Sequence, residues 1–229
     1  MSMPCAAHAI VGDVRVHDLL RLRDPGALRW DGAAPAWVRD ALGAAPWVVV
    51  RRAAARGAWL AVGVRGSARA QRAAAWLDAA GVLCLREPPA LRARAGLLAP
   101  ARAQLPVFAA LRSLERAWRE HGPMHWGPGG SVGFELASGV ATAGPHSDLD
   151  VVVRCERAPS TARARAWLRA LPHDAPARID VLLEWPAGGA ALAEFAAGGP
   201  YLLRTRLGAR LRRAGTRPVG VGIVAEEAA

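Results

Sequence analysis

The stretch GGSVGFELASGVATAGPHSDLDVVVR occupies residues 129–154 and decides the fold of the chain. It places a glycine-rich turn before a short helical segment, then a loop, then an apolar β-branched run that begins with acidic residues. A helical pattern, STARARAWLRAL at 160–171, separates it from a second strand pattern, ARIDVLLEW at 177–185. The amphipathic segment 105–120 precedes it. This order predicts a domain in which helices pack on a sheet.

Three aspartates lie near the beginnings of these two strands. Asp148 and Asp150 are two residues apart on one strand, so their side chains point to the same face. If the second strand pairs beside the first, Asp180 brings a third carboxylate next to them. Carboxylates packed together raise one another's pKa, and a bound divalent cation removes that conflict. Oxygen ligands of this kind suit Mg²⁺, which can stabilise the attacking and leaving oxygens of a displacement at phosphorus. We therefore predict Asp148, Asp150 and Asp180 as catalytic residues and Mg²⁺ ligands.

The glycine-rich turn fits the same chemistry. Glycines let a backbone approach a phosphate closely, and a helix that follows presents free N–H groups and the positive end of its dipole. Gly130 and Ser131 are at this junction, and the Ser131 hydroxyl can donate to a phosphate oxygen. We predict both residues as substrate-binding.

Towards the N-terminus the patterns predict a smaller α/β unit. Two β-branched segments, 47–53 and 59–66, indicate a hairpin, and VLCLRE at 82–87 indicates a further strand. Ser67 is suited to cap a helix in ARAQRAAAWLDAAG, and Asp18 is suited to cap a helix in LLRLR.

The segment 89–104 is rich in Ala, Arg and Pro, which favours a domain boundary. We therefore predict an α+β protein with a small N-terminal α/β domain, 1–100, that binds the donor or a carrier protein. A catalytic domain, 101–229, follows with a mixed sheet.

The charge distribution points to a polyanionic partner. The formal net charge is +11, and all 30 basic residues are Arg. Residues 51–100 contain nine Arg and two acids, residues 101–200 contain ten of each, and residues 201–217 contain six Arg and no acid. Arg suits phosphate because its planar fork donates two parallel hydrogen bonds. The last segment could be the solvated face of a helix or a binding surface.

Membrane and secreted classes are not favoured. No uninterrupted apolar run is long enough to span a bilayer, and residues 1–20 lack the basic start and apolar core of a secretory signal. The three cysteines are far apart and odd in number, which predicts reduced thiols rather than a disulfide framework or a zinc cluster. We expect a cytoplasmic protein.

The catalytic half resembles a known superfamily. GS at 130–131, DLD at 148–150 and IDV at 179–181 are similar to the signature of the DNA polymerase β-like nucleotidyltransferases. The separation between the first two elements is longer than is usual there. This implies that residues 139–147 form an enlarged loop.

Longer strings resemble one family within that superfamily, over roughly residues 15–215. They are HDLLRL, GVRGSARAQRAAAWL, WGPGGSVGFELASG with SDLD, RIDVLLEWP and LLRT. They are similar to phosphoribosyl-dephospho-CoA transferase, the holo-acyl-carrier-protein synthase of malonate decarboxylase. The resemblance implies transfer of 2′-(5″-triphosphoribosyl)-3′-dephospho-CoA to a serine of the decarboxylase's acyl carrier subunit, a transient partner, with release of pyrophosphate. It carries catalytic roles to Asp148 and Asp150 through SDLD, and to Asp180 through RIDVLLE.

Within that resemblance, two assignments follow. Asp180 either completes a metal site or accepts the proton of the acceptor serine. Arg65, Arg69 and Arg72 lie in GVRGSARAQR at spacings of four and three, which predicts that they share one face of a helix or of its entry turn. We expect them to bind donor phosphates or to contact an acidic carrier protein.

Two other functions remain compatible with the sequence. The chain could be another metal-dependent nucleotidyltransferase that moves a nucleotide from an NTP onto a small molecule, RNA or protein. It could instead be a basic nucleic-acid-binding module with a decayed transferase fold. The intact aspartates and the absence of a groove-reading motif disfavour this second alternative. We therefore expect neither a membrane nor a nucleic acid as partner.

Overall fold

The computed structural model of the chain describes residues 14–68 and 70–213. Within them, helices pack against a five-stranded sheet, here called sheet A, and a six-stranded sheet, here called sheet B. The α+β class predicted from the sequence is confirmed.

Sheet A is built from the N-terminal half and its strand pairs are all antiparallel. Its strands are β1 (Leu19–Leu22), β2 (Trp47–Val50), β3 (Trp59–Arg65), β4 (Arg72–Asp78) and β5 (Val82–Arg86), and helix α1 is Trp37–Ala44. They are ordered β4-β3-β2-β1-β5. The predicted hairpin is β2–β3, and the predicted third strand is β5.

Two predicted helices are strands in the structure. The Ala-rich segment after Ser67 forms β4, which pairs with β3 along its whole length, from Trp59 opposite Asp78 to Arg65 opposite Arg72. Alanine favours helices, but Ala75 and Leu77 are both fully buried with a period of two, as in a strand. Cross-strand pairing thus overrides the local propensity.

The segment after Asp18 forms β1, between β2 and β5, rather than a capped helix. Asp18 is fully buried and accepts a 2.7 Å hydrogen bond from the backbone N–H of Arg15. Alternate residues of β1 pack into different cores. Leu20 and Leu22 belong to the N-terminal core, whereas Leu19 belongs to the core of the C-terminal half. Sheet A therefore packs against sheet B's half of the protein through one of its faces.

Three helices connect the two sheets: α2 (Pro88–Leu91), α3 (Pro100–Ala103) and α4 (Pro106–Ala117). The last is the predicted amphipathic helix, and it buries Phe108, Leu111 and Leu114. Leu91 is fully buried in the core of the C-terminal half. The predicted domain boundary lies in this connecting region and stays a prediction.

Sheet B has the mixed character predicted for the second half. Its elements are β6 (Trp126–Pro128), α5 (Gly130–Ser138), β7 (Leu149–Arg154), α6 (Thr161–Arg169), β8 (Ile179–Trp185), β9 (Gly188–Ala191), α7 (Leu192–Ala197), β10 (Pro200–Thr205) and β11 (Gly208–Arg213). The strand order is β11-β10-β9-β8-β7-β6, with β7 and β8 parallel and the other pairs antiparallel. Ser160 caps α6 by accepting a 3.2 Å bond from the N–H of Arg163.

The Arg-rich C-terminal segment is a β-hairpin as far as the structure describes it, and the alternative of a solvated helix is wrong there. The expectation of reduced thiols is confirmed for Cys155, which is free, and is wrong for Cys84, which is disulfide-bonded. Across residues 14–68 and 70–213, the helices are too short or too polar to cross a membrane.

Candidate active site

The strands that carry the predicted carboxylates are neighbours. β7 and β8 run parallel with Asp150 directly opposite Asp180. Residues directly opposite one another in a sheet have their side chains on the same face, so this adjacency, expected from the sequence, is confirmed. Both aspartates line a cleft of about 930 Å³ between sheets A and B. Asp148 precedes β7 and is half-buried, but it does not belong to the cleft lining.

The glycine turn brings the backbone against Asp150. The N–H of Gly129 donates a 2.8 Å hydrogen bond to the carbonyl of Asp150. Gly130 begins α5 with φ of 53°, and a Cβ there would lie 1.8 Å from Asp150 Oδ2. Only glycine readily adopts this left-handed backbone conformation and also leaves room for the Asp150 carboxylate. Gly129 and Gly130 line the cleft, whereas Ser131 is buried beneath it and does not.

The electrostatics of Asp150 reflect its crowded position. Burial raises its pKa, and the nearby Asp180 and Asp148 carboxylates raise it further, although Arg72 and Arg65 oppose them. Water still reaches the side chain from the cleft. An acid that is surrounded by like charges and remains accessible is suited to bind a cation or a proton.

The carboxylates that the structure describes in the cleft are too few to enclose a metal ion by themselves. Within residues 14–68 and 70–213, no three His, Cys, Asp or Glu side chains form a metal-binding group by themselves. Mg²⁺ typically takes one or two protein carboxylates and completes its shell with water and substrate phosphates. The Asp150–Asp180 pair fits that mode. Mg²⁺ therefore stays a proposal that depends on a phosphate-bearing substrate.

Two of the three predicted phosphate-binding arginines face the aspartates across the cleft. Arg65 ends β3 and Arg72 begins β4, directly opposite it, and both line the cleft. The prediction that they share a helix face is wrong. They are brought together as a cross-strand pair of β3 and β4 rather than along a helix. Arg69 lies outside the described residues.

Sequence reasoning missed other arginines of the cleft, among them Arg178. Arg178 precedes β8 and places Nη2 2.7 Å from Asp180 Oδ1. Its side chain is 72% exposed, so this ion pair is weak and can exchange for another anion. Its position two residues before Asp180, hence on the same strand face, was the available signal.

Buried charges also join the two halves beside the cleft. Glu184, which the sequence gave no role, is bound by Arg52 and by His17 Nε2 at 3.1 Å. Arg154 places Nη2 2.5 Å from Asp18 Oδ1, and both side chains are almost completely buried. Nothing in the local sequence identifies these pairs, because each partner comes from the other sheet.

The enlarged loop 139–147 is anchored by one carboxylate. Glu135 accepts two hydrogen bonds from Arg102, at 2.9 and 2.7 Å, and one of 2.9 Å from the N–H of each of Thr142 and Ala143. Burial disfavours its charge, but these bonds outweigh burial and hold the pKa of Glu135 below its ordinary value. Glu135 thus holds in place the loop that precedes β7.

Comparisons with known proteins agree with these observations. Residues 15–88 match the family Phosphoribosyl-dephospho-CoA transferase MdcG N-terminal domain, and residues 91–215 match the corresponding C-terminal domain. Proteins named Phosphoribosyl-dephospho-CoA transferase are similar over most of their length. The one from Azotobacter vinelandii is 40% identical over 86% of this chain and 95% of its own. That from Pseudomonas aeruginosa is 45% identical, over 82% and 86%. That from Klebsiella pneumoniae is 37% identical, over 86% and 93%. No solved structure matches the chain significantly.

Proposed function

This chain belongs to the phosphoribosyl-dephospho-CoA transferase family, and on that premise we propose that it modifies the acyl carrier subunit of malonate decarboxylase. It is a transferase that acts on a dephospho-CoA-derived prosthetic-group precursor. The alternative of a nucleic-acid-binding module without activity is therefore wrong. In the proposed reaction the donor is triphosphoribosyl-dephospho-CoA, the acceptor is a carrier serine and the leaving group is pyrophosphate. The proposal places this reaction in the cytoplasm.

The observation that carries the proposal is the Asp150–Asp180 pair, which lies on one side of a large cleft with Arg65 and Arg72 on the other. A polyphosphate between them meets cations from sheet A and carboxylates from sheet B. The volume, about 930 Å³, is at the upper end of the range for ligand pockets, as a CoA-sized donor requires.

The chain's own residues then have distinct tasks. Arg65 and Arg72 donate to donor phosphates and disperse the charge that develops on the departing pyrophosphate. Gly129 and Gly130 allow a phosphate to lie against the start of α5. Asp150 and Asp180 would hold the Mg²⁺ that neutralises phosphate charge when it is bound.

The transfer itself is a displacement at the phosphorus nearest the ribose. The serine oxygen forms a bond to this phosphorus while the bond between the phosphorus and the leaving pyrophosphate breaks. The product is a phosphodiester. The serine proton passes to Asp180 or to water. The acceptor hydroxyl has to approach opposite the leaving group, so the carrier must reach the cleft from its open side.

The test is a mass measurement on the carrier. The protein is incubated with apo carrier subunit, donor and Mg²⁺. The expected result is a mass gain equal to phosphoribosyl-dephospho-CoA, with one pyrophosphate per carrier, and EDTA blocking both. If an NTP labels an acceptor while the carrier stays unmodified, the chain is the alternative nucleotidyltransferase. Carrier labelling that is indifferent to EDTA would contradict the role of the metal.

A further inference from the structure

The face of sheet B that carries the aspartates extends well beyond them. Asp180 and Glu184 are on one face of β8, Glu184 lies opposite Gly189, and Gly189 lies opposite Arg204 of β10. Arg204 lies opposite Ala209 of β11. Leu202 is two residues from Arg204, hence on the same face, and lies opposite Leu211. One continuous face therefore runs from Asp150 to the edge strand β11.

The N-terminal half of the protein covers only part of this face. At Glu184 the N-terminal half lies directly over the sheet and contributes Arg52 and His17. Farther along, Leu202 is 38% exposed and Leu211 is 72% exposed. The leucine pair thus lies on the active-site face beyond the edge of sheet A, where an apolar patch is open to solvent.

The hairpin that carries these leucines is strongly basic, and Glu194 of α7 accepts a 3.2 Å hydrogen bond from the backbone N–H of Leu202. Residues 200–213 contain five Arg and no Asp or Glu. One of them, Arg204, both shares the face of Leu202 and lines the active-site cleft. Arg204 therefore connects the apolar patch to the cleft. The hairpin itself contains no acidic residue that would repel an anionic partner.

We propose that this hairpin face, formed by Leu202, Arg204, Ala209 and Leu211, is the docking surface for the acceptor protein, which it binds through an acidic surface with an apolar centre. The inference rests on the proposed function. The donor occupies the cleft between the sheets, so the acceptor has to approach from an uncovered part of the same face. An apolar centre with a charged rim is the ordinary composition of a protein interface, and arginines favour an acidic partner.

The test measures transfer at varied acceptor and donor concentrations in the full chain. Leu211→Ser is the principal variant. Leu97→Ser, which changes another exposed leucine in the connecting region, is the matched control, and Arg210→Ala changes the opposite face of the same hairpin. We expect Leu211→Ser to raise the KM for apo carrier about tenfold, since central apolar contacts dominate interface energies. The KM for the donor, kcat and the melting temperature should not change.

The outcomes separate the inference from the reaction. Wild-type transfer with an unchanged carrier KM in Leu211→Ser overturns the docking surface and leaves the reaction intact. A raised donor KM assigns the face to the donor instead and also overturns the proposal. Equal losses in Leu97→Ser and Arg210→Ala would show a non-specific effect and contradict it. If wild type modifies no carrier at all, the proposed function fails and the docking surface fails with it.

Discussion

The two ends of the β7–β8 pair differ in the charges that they bring together. At one end Asp150 lies opposite Asp180, two like charges that open to the cleft. At the other end Arg154 lies opposite Glu184, two opposite charges that are both nearly buried. Each of the latter also has a partner of opposite charge in the N-terminal half.

This difference separates a binding site from a structural contact. Buried charges persist in proteins when they are paired and hydrogen-bonded, as at the Arg154 end. At the Asp150 end, burial and the like charge of Asp180 both disfavour ionisation, and the raised pKa of Asp150 expresses that cost. Since the Asp150 end is accessible, an added cation or proton can remove this cost. We therefore propose that one end of the strands serves catalysis and that the other end attaches the N-terminal half.

The largest effect is expected from Asp150→Asn. Carrier modification should fall by about a thousandfold or more, as when a group that stabilises transition-state charge is removed. The fold should not suffer. Because burial and the neighbouring carboxylates raise the pKa of Asp150, its ionised form costs stability once the pH exceeds the ordinary value of the group, and the amide removes this cost. Initial rates and thermal melting check both statements. Activity within tenfold of wild type would refute the catalytic role of Asp150. The control is Asp174→Asn, which changes an exposed acid.

Removing Asp18 should have the opposite pattern. Asp18→Ala leaves the buried charge of Arg154 without its closest partner, and we expect a loss of about 3 kcal/mol in the free energy of unfolding. The rate per folded molecule should stay near that of wild type. Denaturant titration measures the loss. Glu120→Ala, which removes an exposed carboxylate 4.0 Å from His121 Nε2, should leave stability unchanged. Equal stability of both variants would contradict the structural role of the Arg154 end.

Much of the aspartate end could be predicted from the sequence. The run Val151–Val153 identifies a central strand, and the D-x-D spacing fixes which side chains share its face. The second strand pattern around Asp180 has similar length and composition, which favoured its pairing beside the first. These signals are local, so one sequence is sufficient for them.

The Arg154 end could not be predicted, because its contacts join residues more than a hundred positions apart, such as Arg52 and Glu184. Cross-strand pairing also explains why the helix predicted at β4 is wrong, since its alanines pair with β3 along the whole strand. The proximity of Arg65 and Arg72 could nevertheless be predicted, because only six residues separate them along the chain.

A smaller effect is expected at the cations that face the aspartates. Arg72→Ala should weaken donor binding about tenfold, equivalent to about 1.4 kcal/mol, by removing a charged hydrogen-bond donor. The remaining affinity should depend less on salt. Isothermal titration at low and high ionic strength measures both quantities. Arg163→Ala, which changes an exposed arginine outside the cleft lining, is the control, and equal losses in the two variants would make Arg72 ordinary surface.

The smallest effect concerns the loop behind the aspartates and depends on pH. The pKa of Glu135 is held below its ordinary value of 4.5, so its ionised form stabilises the fold above that pH. This contribution is lost as the pH falls through the lowered pKa. Glu135→Gln should therefore cost about 1 kcal/mol at neutral pH, and less as the solution becomes more acidic. Denaturant titrations at a series of pH values measure the difference, and a difference that grows on acidification would contradict the stated direction.

The most direct test of the central claim compares Asp150→Asn and Asp18→Ala in one experiment. Both proteins are held well below their melting temperatures, and the rate of carrier modification is divided by the folded fraction. The account predicts that Asp150→Asn melts no lower than wild type yet is about a thousandfold slower, whereas Asp18→Ala melts lower and transfers at nearly the wild-type rate. If Asp150→Asn loses stability while it keeps its rate, the two ends of the strand pair have been assigned the wrong way round.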